Sequence, residues 1–278
     1  MSETFDAASL TAGAAAATTA MASMTKKAID LEAAMANVAK VVDFPNPEGL
    51  KELETTLLKL SRTIPITAEG LAEMAAAGGQ LGVAAKDLPA FVEQVAKIAT
   101  AFDLLPDQAG ESMAKLANVF NLPVTKIEAF GDVINELSNN TAAKASDIVE
   151  ALRRIGGTAK QFGLAKEEAA ALAGALIALG KPPEIAATAI NSMLTKLQTA
   201  TKQSTKFQTA LIALGLDAKG LEKSIGQDAG GALDNLLRKL SQLDKQTRAG
   251  VLTDLFGANF QDDIGTLVGS LETYEKAI

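Results

Sequence analysis

The side chains that most often carry catalysis and metal binding are missing from this sequence. The chain has no Cys and no His. The lack of Cys excludes disulfides, thiolate nucleophiles and zinc ribbons, and the lack of His removes the usual general base and the commonest metal ligand. Chemistry would therefore depend on carboxylates, amines, guanidinium groups and hydroxyls brought together by the fold.

Three adjacent pairs of charged residues could converge on a ligand: Glu167-Glu168, Asp262-Asp263 and Arg153-Arg154. Side chains next to each other in sequence diverge on a helix, where residues three or four apart share a face. We therefore interpret both acidic pairs as first turns of helices, where the dipole favours negative charge. The arginine pair is interpreted as complementing a helix C-terminus.

Hydroxyl and glycine patterns give no stronger candidate. A serine–lysine arrangement among Ser112, Lys144 and Ser146 is conceivable, but proximity in sequence is weak evidence for activation. Gly78-Gly79 and Gly156-Gly157 lack the GxxxxGK[ST] pattern of a phosphate loop, so we interpret them as helix stops. The sequence thus predicts no catalytic, cofactor-binding or metal-ligating residue, and no cofactor.

The composition is that of closely packed helices. About a fifth of the 278 residues are Ala, whereas aromatic residues make up only 4%. Alanine is the best helix former and fills little volume. The 26 basic and 33 acidic residues leave a net charge of −7, which predicts no stable binding to nucleic acid.

The uncharged segment Ala7–Met24 is the one stretch that is long enough to cross a bilayer. It consists of Ala, Thr, Ser and Gly instead of Leu or Ile, so its transfer into lipid is weakly favourable. We predict a packed or partly disordered helix there. The apolar run Ala169–Leu179 is too short to span a membrane and predicts a buried helix.

Helix starts are marked by caps and prolines. Asn46 and Thr67 are predicted N-caps, and Ser146 is predicted to cap a later helix. The dipeptides Leu88-Pro89, Leu105-Pro106 and Leu122-Pro123 recur every 17 residues, and each is predicted to begin a helix.

Two internal similarities raise the question of a repeat. Val95–Phe102 resembles Met113–Phe120, with large residues on one helical face in both. The six letters Ala175–Gly180 return as Ala210–Gly215, which predicts two helix C-termini with left-handed glycine. A helical-hairpin array remains an alternative, but we favour a compact bundle.

These observations predict an all-α protein: a compact bundle of many short helices with proline starts and glycine stops, preceded by an Ala-rich helix. The Ala-rich segment, residues 1–40, should be an oligomerisation helix, part of a longer helix, or frayed. The polar stretch Thr199–Lys206 is the best linker candidate, because it is low in large apolar residues. We therefore predict a main helical domain over 41–198 and a C-terminal helical subdomain over 199–278.

An ordered set of short stretches resembles the TP901-type core region of phage tail tape measure proteins. The set covers the chain from about residue 29 to its end. Its members are Leu31–Val38, Leu60–Thr67, Gly79–Gly82, Leu137–Thr141, Ala145–Ile148, Phe162–Leu164, Glu167-Glu168 and Leu255–Gly257.

The resemblance implies a structural, non-enzymatic role in the virion tail, assembled in the bacterial host. Its implied partners are tail tube, tail-tip and tail-assembly chaperone proteins. The abundant alanine and glycine also suit self-association, so a homo-oligomer is a further expectation. Tail-length determination and a part in DNA ejection, with membrane contact only during ejection, are also implied.

A measuring rod works by contour length, and a fully helical chain of 278 residues would reach only about 420 Å. The repeated Pro and Gly stops also exclude a single rod. We therefore expect either a folded domain of a longer protein or a short remnant of one. The alternatives are a generic helical scaffold, a cell-wall hydrolase accessory or enzyme domain, and a membrane-active protein.

Overall fold

The computed structural model describes the backbone of residues 7–275 and the side chains of residues 22–272 and Tyr274. The described residues form helices joined by short connections and contain no strand, so the all-α prediction is confirmed. Three short 3-10 turns lie at Ala85–Asp87, Val124–Lys126 and Ala200–Lys202. The α-helices, in chain order, are α1 Ala7–Val41, α2 Pro47–Leu60, α3 Ala68–Gln80, α4 Leu88–Phe102, α5 Pro106–Phe120, α6 Ile127–Asn140, α7 Ala145–Phe162, α8 Lys166–Ala178, α9 Pro183–Gln198, α10 Thr205–Ala213, α11 Ala218–Gln227, α12 Ala229–Ser241, α13 Lys245–Phe256, α14 Ala258–Gly269 and α15 Leu271–Glu275.

The predicted helix starts are largely confirmed. The side chain of Asn46 accepts a hydrogen bond from the Gly49 N–H at 2.9 Å, and that of Thr67 accepts one from Gly70 at 3.1 Å. Ser146 is a correction. The helix begins at Ala145, two residues earlier than a Ser146 cap predicts, so Lys144 occupies the cap position without a side-chain bond and Ser146 lies inside the first turn.

The three Leu-Pro dipeptides behave in two ways. The first two begin α4 and α5 as predicted, whereas Leu122-Pro123 is followed by a 3-10 turn before α6 starts. The residues that follow α4 and α5 are Asp103 and Asn121, and neither is a glycine. Asp103 has φ 54° and Asn121 has φ 53°, which is the left-handed conformation that reverses a chain after a helix.

The repeated Ala-Leu-Ile-Ala-Leu-Gly segments end their helices in the same way. Gly180 has φ 89° and Gly215 has φ 67°. After Gly180 the N–H of Lys181 bonds to the Leu176 carbonyl at 3.1 Å, and after Gly215 the N–H of Leu216 bonds to the Leu211 carbonyl at 3.0 Å. The prediction of two left-handed glycine C-termini is confirmed at both copies.

Of the two glycine pairs predicted to stop helices, one lies at a helix end and the other does not. Gly78-Gly79 lies in the last turn of α3, which ends at Gln80, whereas Gly156-Gly157 lies inside α7, which continues to Phe162. A Cβ added at Gly156 would lie 3.1 Å from the side chain of Val119, and one added at Gly79 would overlap the side chain of Val42. Gly79 and Gly156 allow other segments to approach their helices closely. The need for a small residue at these positions comes from contacts with residues distant in sequence.

The chain divides into two compact units. The first comprises the residues up to Thr100 together with Leu105–Glu111, and the second comprises Ala101–Leu104 with the residues from Ser112 onward. In the first unit, α1 and α2 pack on α3. Leu71, Met74 and Phe91 are fully buried in its core.

The second unit is built around α8. Every residue of Ala169–Ile177 is buried, which agrees with the buried helix predicted there. The unit also holds a side-by-side pair, α7 and α9: the Asn191 side chain donates to the Arg154 carbonyl at 3.2 Å, and that of Gln198 donates to the Gln161 carbonyl at 2.8 Å. The equal offset of the two bonds shows that α7 and α9 run parallel.

The polar stretch that begins at Thr199 is anchored to the second unit. Ala200 is fully buried. The backbone N–H and the hydroxyl of Thr201 both donate to one carboxylate oxygen of Glu222, at 2.7 and 2.8 Å. The division into segments 1–40, 41–198 and 199–278 stays a prediction.

Candidate functional site

The Asp262-Asp263 pair corrects the sequence interpretation. Neither residue lies in a first turn, because α14 begins at Ala258. The two carboxylates converge on one cation: the ammonium nitrogen of Lys181 lies 2.6 Å from Asp262 and 2.8 Å from Asp263. These two hydrogen bonds raise the pKa of Lys181 above its ordinary value. Because the Lys181 ammonium group pairs with both carboxylates, the cluster connects the segment after α8 to α14.

A second lysine, which no sequence pattern indicated, caps the C-terminus of a helix that lies far away along the chain. The ammonium group of Lys196, on α9, donates to the Phe256 carbonyl at 2.7 Å. Phe256 is the last residue of α13, so the bond satisfies a carbonyl that has no partner within its own helix. Neither lysine lies near its partner in sequence, and no local pattern distinguishes them from exposed lysines.

The Glu167-Glu168 pair lies in the first turn of α8, as predicted. Glu168 accepts a hydrogen bond from the Ala165 N–H at 2.8 Å, while Glu167 pairs with Lys166. Glu168 also packs against α12, because a Cβ added at Gly230 would overlap its carboxylate. The pair stabilises a helix start and a helix contact.

Glu168 also contributes to the environment of the one tyrosine in the chain. Tyr274 is 1% exposed. Burial raises the pKa of its hydroxyl far above the ordinary value, and the negative charges of Glu168 and Asp234 raise it further. Both effects keep the phenol neutral.

Arg153 and Arg154 lie in the middle of α7, not near its C-terminus. Both pair with Glu150, at 3.1 and 2.7 Å. The predicted complement to a helix end is therefore wrong, because α7 does not stop at Gly156-Gly157. Such exposed pairs one turn apart contribute little to stability, about 0.3–0.5 kcal/mol each.

The serine–lysine candidates occupy different environments. Ser112 is 3% exposed within α5, whereas Lys144 is exposed in front of α7 and Ser146 is half-buried in its first turn. The three residues thus differ in exposure, and a serine–lysine arrangement among them stays a hypothesis.

The first unit has a groove of about 370 Å³ between α1, α3 and the start of α5. Its charged lining includes Lys40, Glu73, Asp107 and Glu111. Partial burial raises the pKa of Glu73, and the carboxylates of Glu69 and Asp107 raise it further. The groove therefore concentrates negative charge, which attracts cationic groups.

Within residues that the structure describes, no set of three or more acidic side chains is arranged to hold a metal ion. Over the same part of the chain, no helix is long and apolar enough to cross a membrane. Among the described residues, Lys181 pairs with two carboxylates and Lys196 completes a helix end.

Comparison with known proteins decides the family. The family model described as phage-related minor tail protein matches residues 54–257, which is well over half of the chain. The chain belongs to this family. The resemblance to phage tail tape measure proteins that the sequence indicated is confirmed, although the TP901-type assignment stays a resemblance.

Two curated relatives of this minor tail protein are much longer than it. A probable tape measure protein of Halomonas phage phiHAP-1 is 27% identical over 263 residues, which cover 90% of this chain and 30% of the relative. The tape measure protein of Pneumococcus phage Dp-1 is 26% identical over 196 residues, covering 69% of this chain and 16% of the relative. No solved structure matches the chain.

Proposed function

We propose that this chain is the folded helical domain of a phage tail tape measure protein and that it acts through protein contacts during tail assembly. The observation that carries the proposal is the pair of alignments. Nearly the whole chain aligns with a probable tape measure protein, of which it spans 30%. A domain that is one part of a long tail protein accounts for both the high coverage of this chain and the low coverage of the relative.

The helix ends support a folded domain instead of a measuring rod. A rod measures by contour length, at about 1.5 Å per helical residue. In this chain the backbone turns into the left-handed region after α4, α5, α7, α8 and α10. A chain that reverses so often gains little length per residue, so the measuring function belongs to other parts of the protein.

The proposal includes the role implied by the resemblance. The partners are tail tube, tail-tip and tail-assembly chaperone proteins, in a tail that assembles in the bacterial host. The chain binds no nucleic acid stably, and contact with a membrane is confined to ejection. The role is non-enzymatic, with no catalytic, cofactor-binding or metal-ligating residue, and the three segments 1–40, 41–198 and 199–278 are its parts.

An in-frame deletion of residues 54–257 in a phage that carries this gene tests the proposal. We expect few or no complete tails in negative-stain images, because assembly contacts are lost. Supply of the intact protein in trans should restore tails. Normal tails in the deletion phage would refute a role in assembly. Uniform tails shortened by about 300 Å, which is 1.5 Å for each deleted residue, would show that the segment is part of the ruler.

A further inference from the structure

A cavity of about 590 Å³ lies in the second unit, where the end of α12, the start of α13 and the α14–α15 connection meet. Two arginines line it, Arg238 from α12 and Arg248 from α13. In a chain with a net charge of −7, two guanidinium groups on one cavity are a local excess of positive charge. Guanidinium groups bind phosphate and carboxylate through paired hydrogen bonds, so this lining indicates an oxyanion as the ligand.

Arg248 has no acidic partner among the described residues. Its side chain is half-buried and makes no ion pair or hydrogen bond with that part of the chain. The carboxylate of Asp244, one turn earlier, accepts two backbone N–H groups at the start of α13. Asp262 lines a neighbouring cleft together with Arg248, but it is paired with Lys181 at 2.6 Å. A half-buried cation without a counter-charge favours binding of an anion from outside the chain.

Other polar side chains of the lining can add hydrogen bonds to such an anion. Gln242 and Ser270 border the cavity, and within the described part of the chain neither side chain has a hydrogen-bond partner. Arg238 is held in place by Asp234, which accepts a hydrogen bond from its Nε at 2.7 Å. Amide and hydroxyl groups can therefore donate to an oxyanion beside the two guanidinium groups.

We propose that this cavity, the arginine pocket, binds a single oxyanion, namely a phosphate or a carboxylate group. Among the described lining residues one is acidic: Glu272, whose exposed side chain makes no ion pair with either arginine. Its charge and the net charge of −7 oppose a long polyanion such as nucleic acid. The ligand is therefore a small anion or one charged group of a larger molecule. The proposal does not depend on the role in tail assembly.

Titration of the full chain with pyrophosphate and, separately, with citrate tests the arginine pocket. Binding is followed by two-dimensional NMR of the backbone amides at constant ionic strength, so that general charge screening stays the same. We expect the amides of residues 238–242, 245–248 and 268–272 to shift with a dissociation constant of about 1 mM or lower. Binding of pyrophosphate alone identifies a phosphate site, binding of citrate alone identifies a carboxylate site, and binding of both identifies a general oxyanion site. No shift of these amides with either anion up to about 20 mM would overturn the proposal.

A matched pair of substitutions separates the pocket from the overall charge of the chain. Arg248→Gln removes the guanidinium group that has no intrachain partner, and we expect the dissociation constant to rise at least about tenfold. Arg62→Gln changes the net charge equally at an exposed position of the first unit and should leave the constant unchanged. Circular dichroism confirms that each variant is folded. Equal weakening by the two variants would mean that the anion responds to net charge alone and would refute the pocket.

Glu272→Gln gives an independent test, because it removes negative charge from the pocket and leaves both arginines in place. We expect the affinity for the same anion to increase about twofold to threefold. Glu52→Gln makes the same chemical change at an exposed position of α2 and should have no effect. An equal gain in both variants, or weaker binding in Glu272→Gln, would contradict the proposed site.

Discussion

At the scale of single residues, two lysines of this chain connect elements that lie far apart in sequence. Lys181 holds two carboxylates that lie 81 and 82 positions away in sequence, and Lys196 satisfies the carbonyl that ends α13, 60 positions away. A lysine that reaches so far is indistinguishable in sequence from one in solvent. The residue types could be read from the sequence, but their partners depend on the packing of distant helices.

Tyr274 offers a direct measurement at this scale. Burial and two nearby carboxylates raise its pKa in the folded protein. Because the folded pKa is raised, the neutral phenol contributes stability that is fully present below the unfolded pKa of about 10. That contribution is lost as the pH rises through the folded value.

The chain has one Tyr and no Trp, so tyrosinate absorbance reports this residue alone. In the native protein at pH 11 we expect almost no tyrosinate, whereas the same chain in concentrated urea should be about 90% ionised. Far-ultraviolet circular dichroism at each pH confirms that the native sample remains folded. A native midpoint near pH 10 would mean that Tyr274 is accessible.

At the scale of helices, the local rules explain where elements begin and turn. Asn46 and Thr67 cap helices, and Gly180 and Gly215 end them. The hydrogen bonds at these helix ends join residues only a few positions apart, so the sequence predicts them. The same reasoning failed for Gly156-Gly157. The contact that requires a small residue there is with Val119, which lies in another helix. Sequence patterns therefore predict helix ends better than the places where two helices touch.

The close contact between α3 and α5 gives a prediction for helix packing. A Cβ at Gly110 would lie 2.9 Å from the Cα of Met74, a backbone atom that cannot move aside cheaply. Gly110→Ala should therefore destabilise the protein by about 1–3 kcal/mol through overpacking, more than the gain of about 1 kcal/mol in helix propensity.

Gly157 is the matched control, because it also lies inside a helix but an added Cβ would meet nothing within 4 Å. Gly157→Ala should stabilise the protein by about 0.5–1 kcal/mol. Urea denaturation followed by circular dichroism measures both changes. If Gly110→Ala is as stable as Gly157→Ala, the two helices do not approach as closely as the structure shows.

At the scale of the whole molecule, the fold class and the family follow from the sequence, whereas the division into units does not. Proline starts, glycine ends and abundant alanine are sufficient to predict short packed helices. The boundary between the two units falls around α5, which has the same punctuation as its neighbours. Nothing local marks it, because a unit is defined by which helices share a core.

The two units predict a separable response to destabilisation. Gly110→Ala acts in the first unit. Lys181→Met acts in the second unit, where it removes the cation that pairs with Asp263, a residue with 14% of its side chain exposed.

Local opening exposes amides within one cooperative unit before global unfolding exposes all of them. Hydrogen exchange read by mass spectrometry should therefore show faster exchange in α2 and α3 for the first variant and in α8 and α14 for the second. Lys206→Met, at an exposed position, should change neither. If both destabilising variants accelerate exchange equally in all four helices, the chain opens as one cooperative unit and the division into two fails.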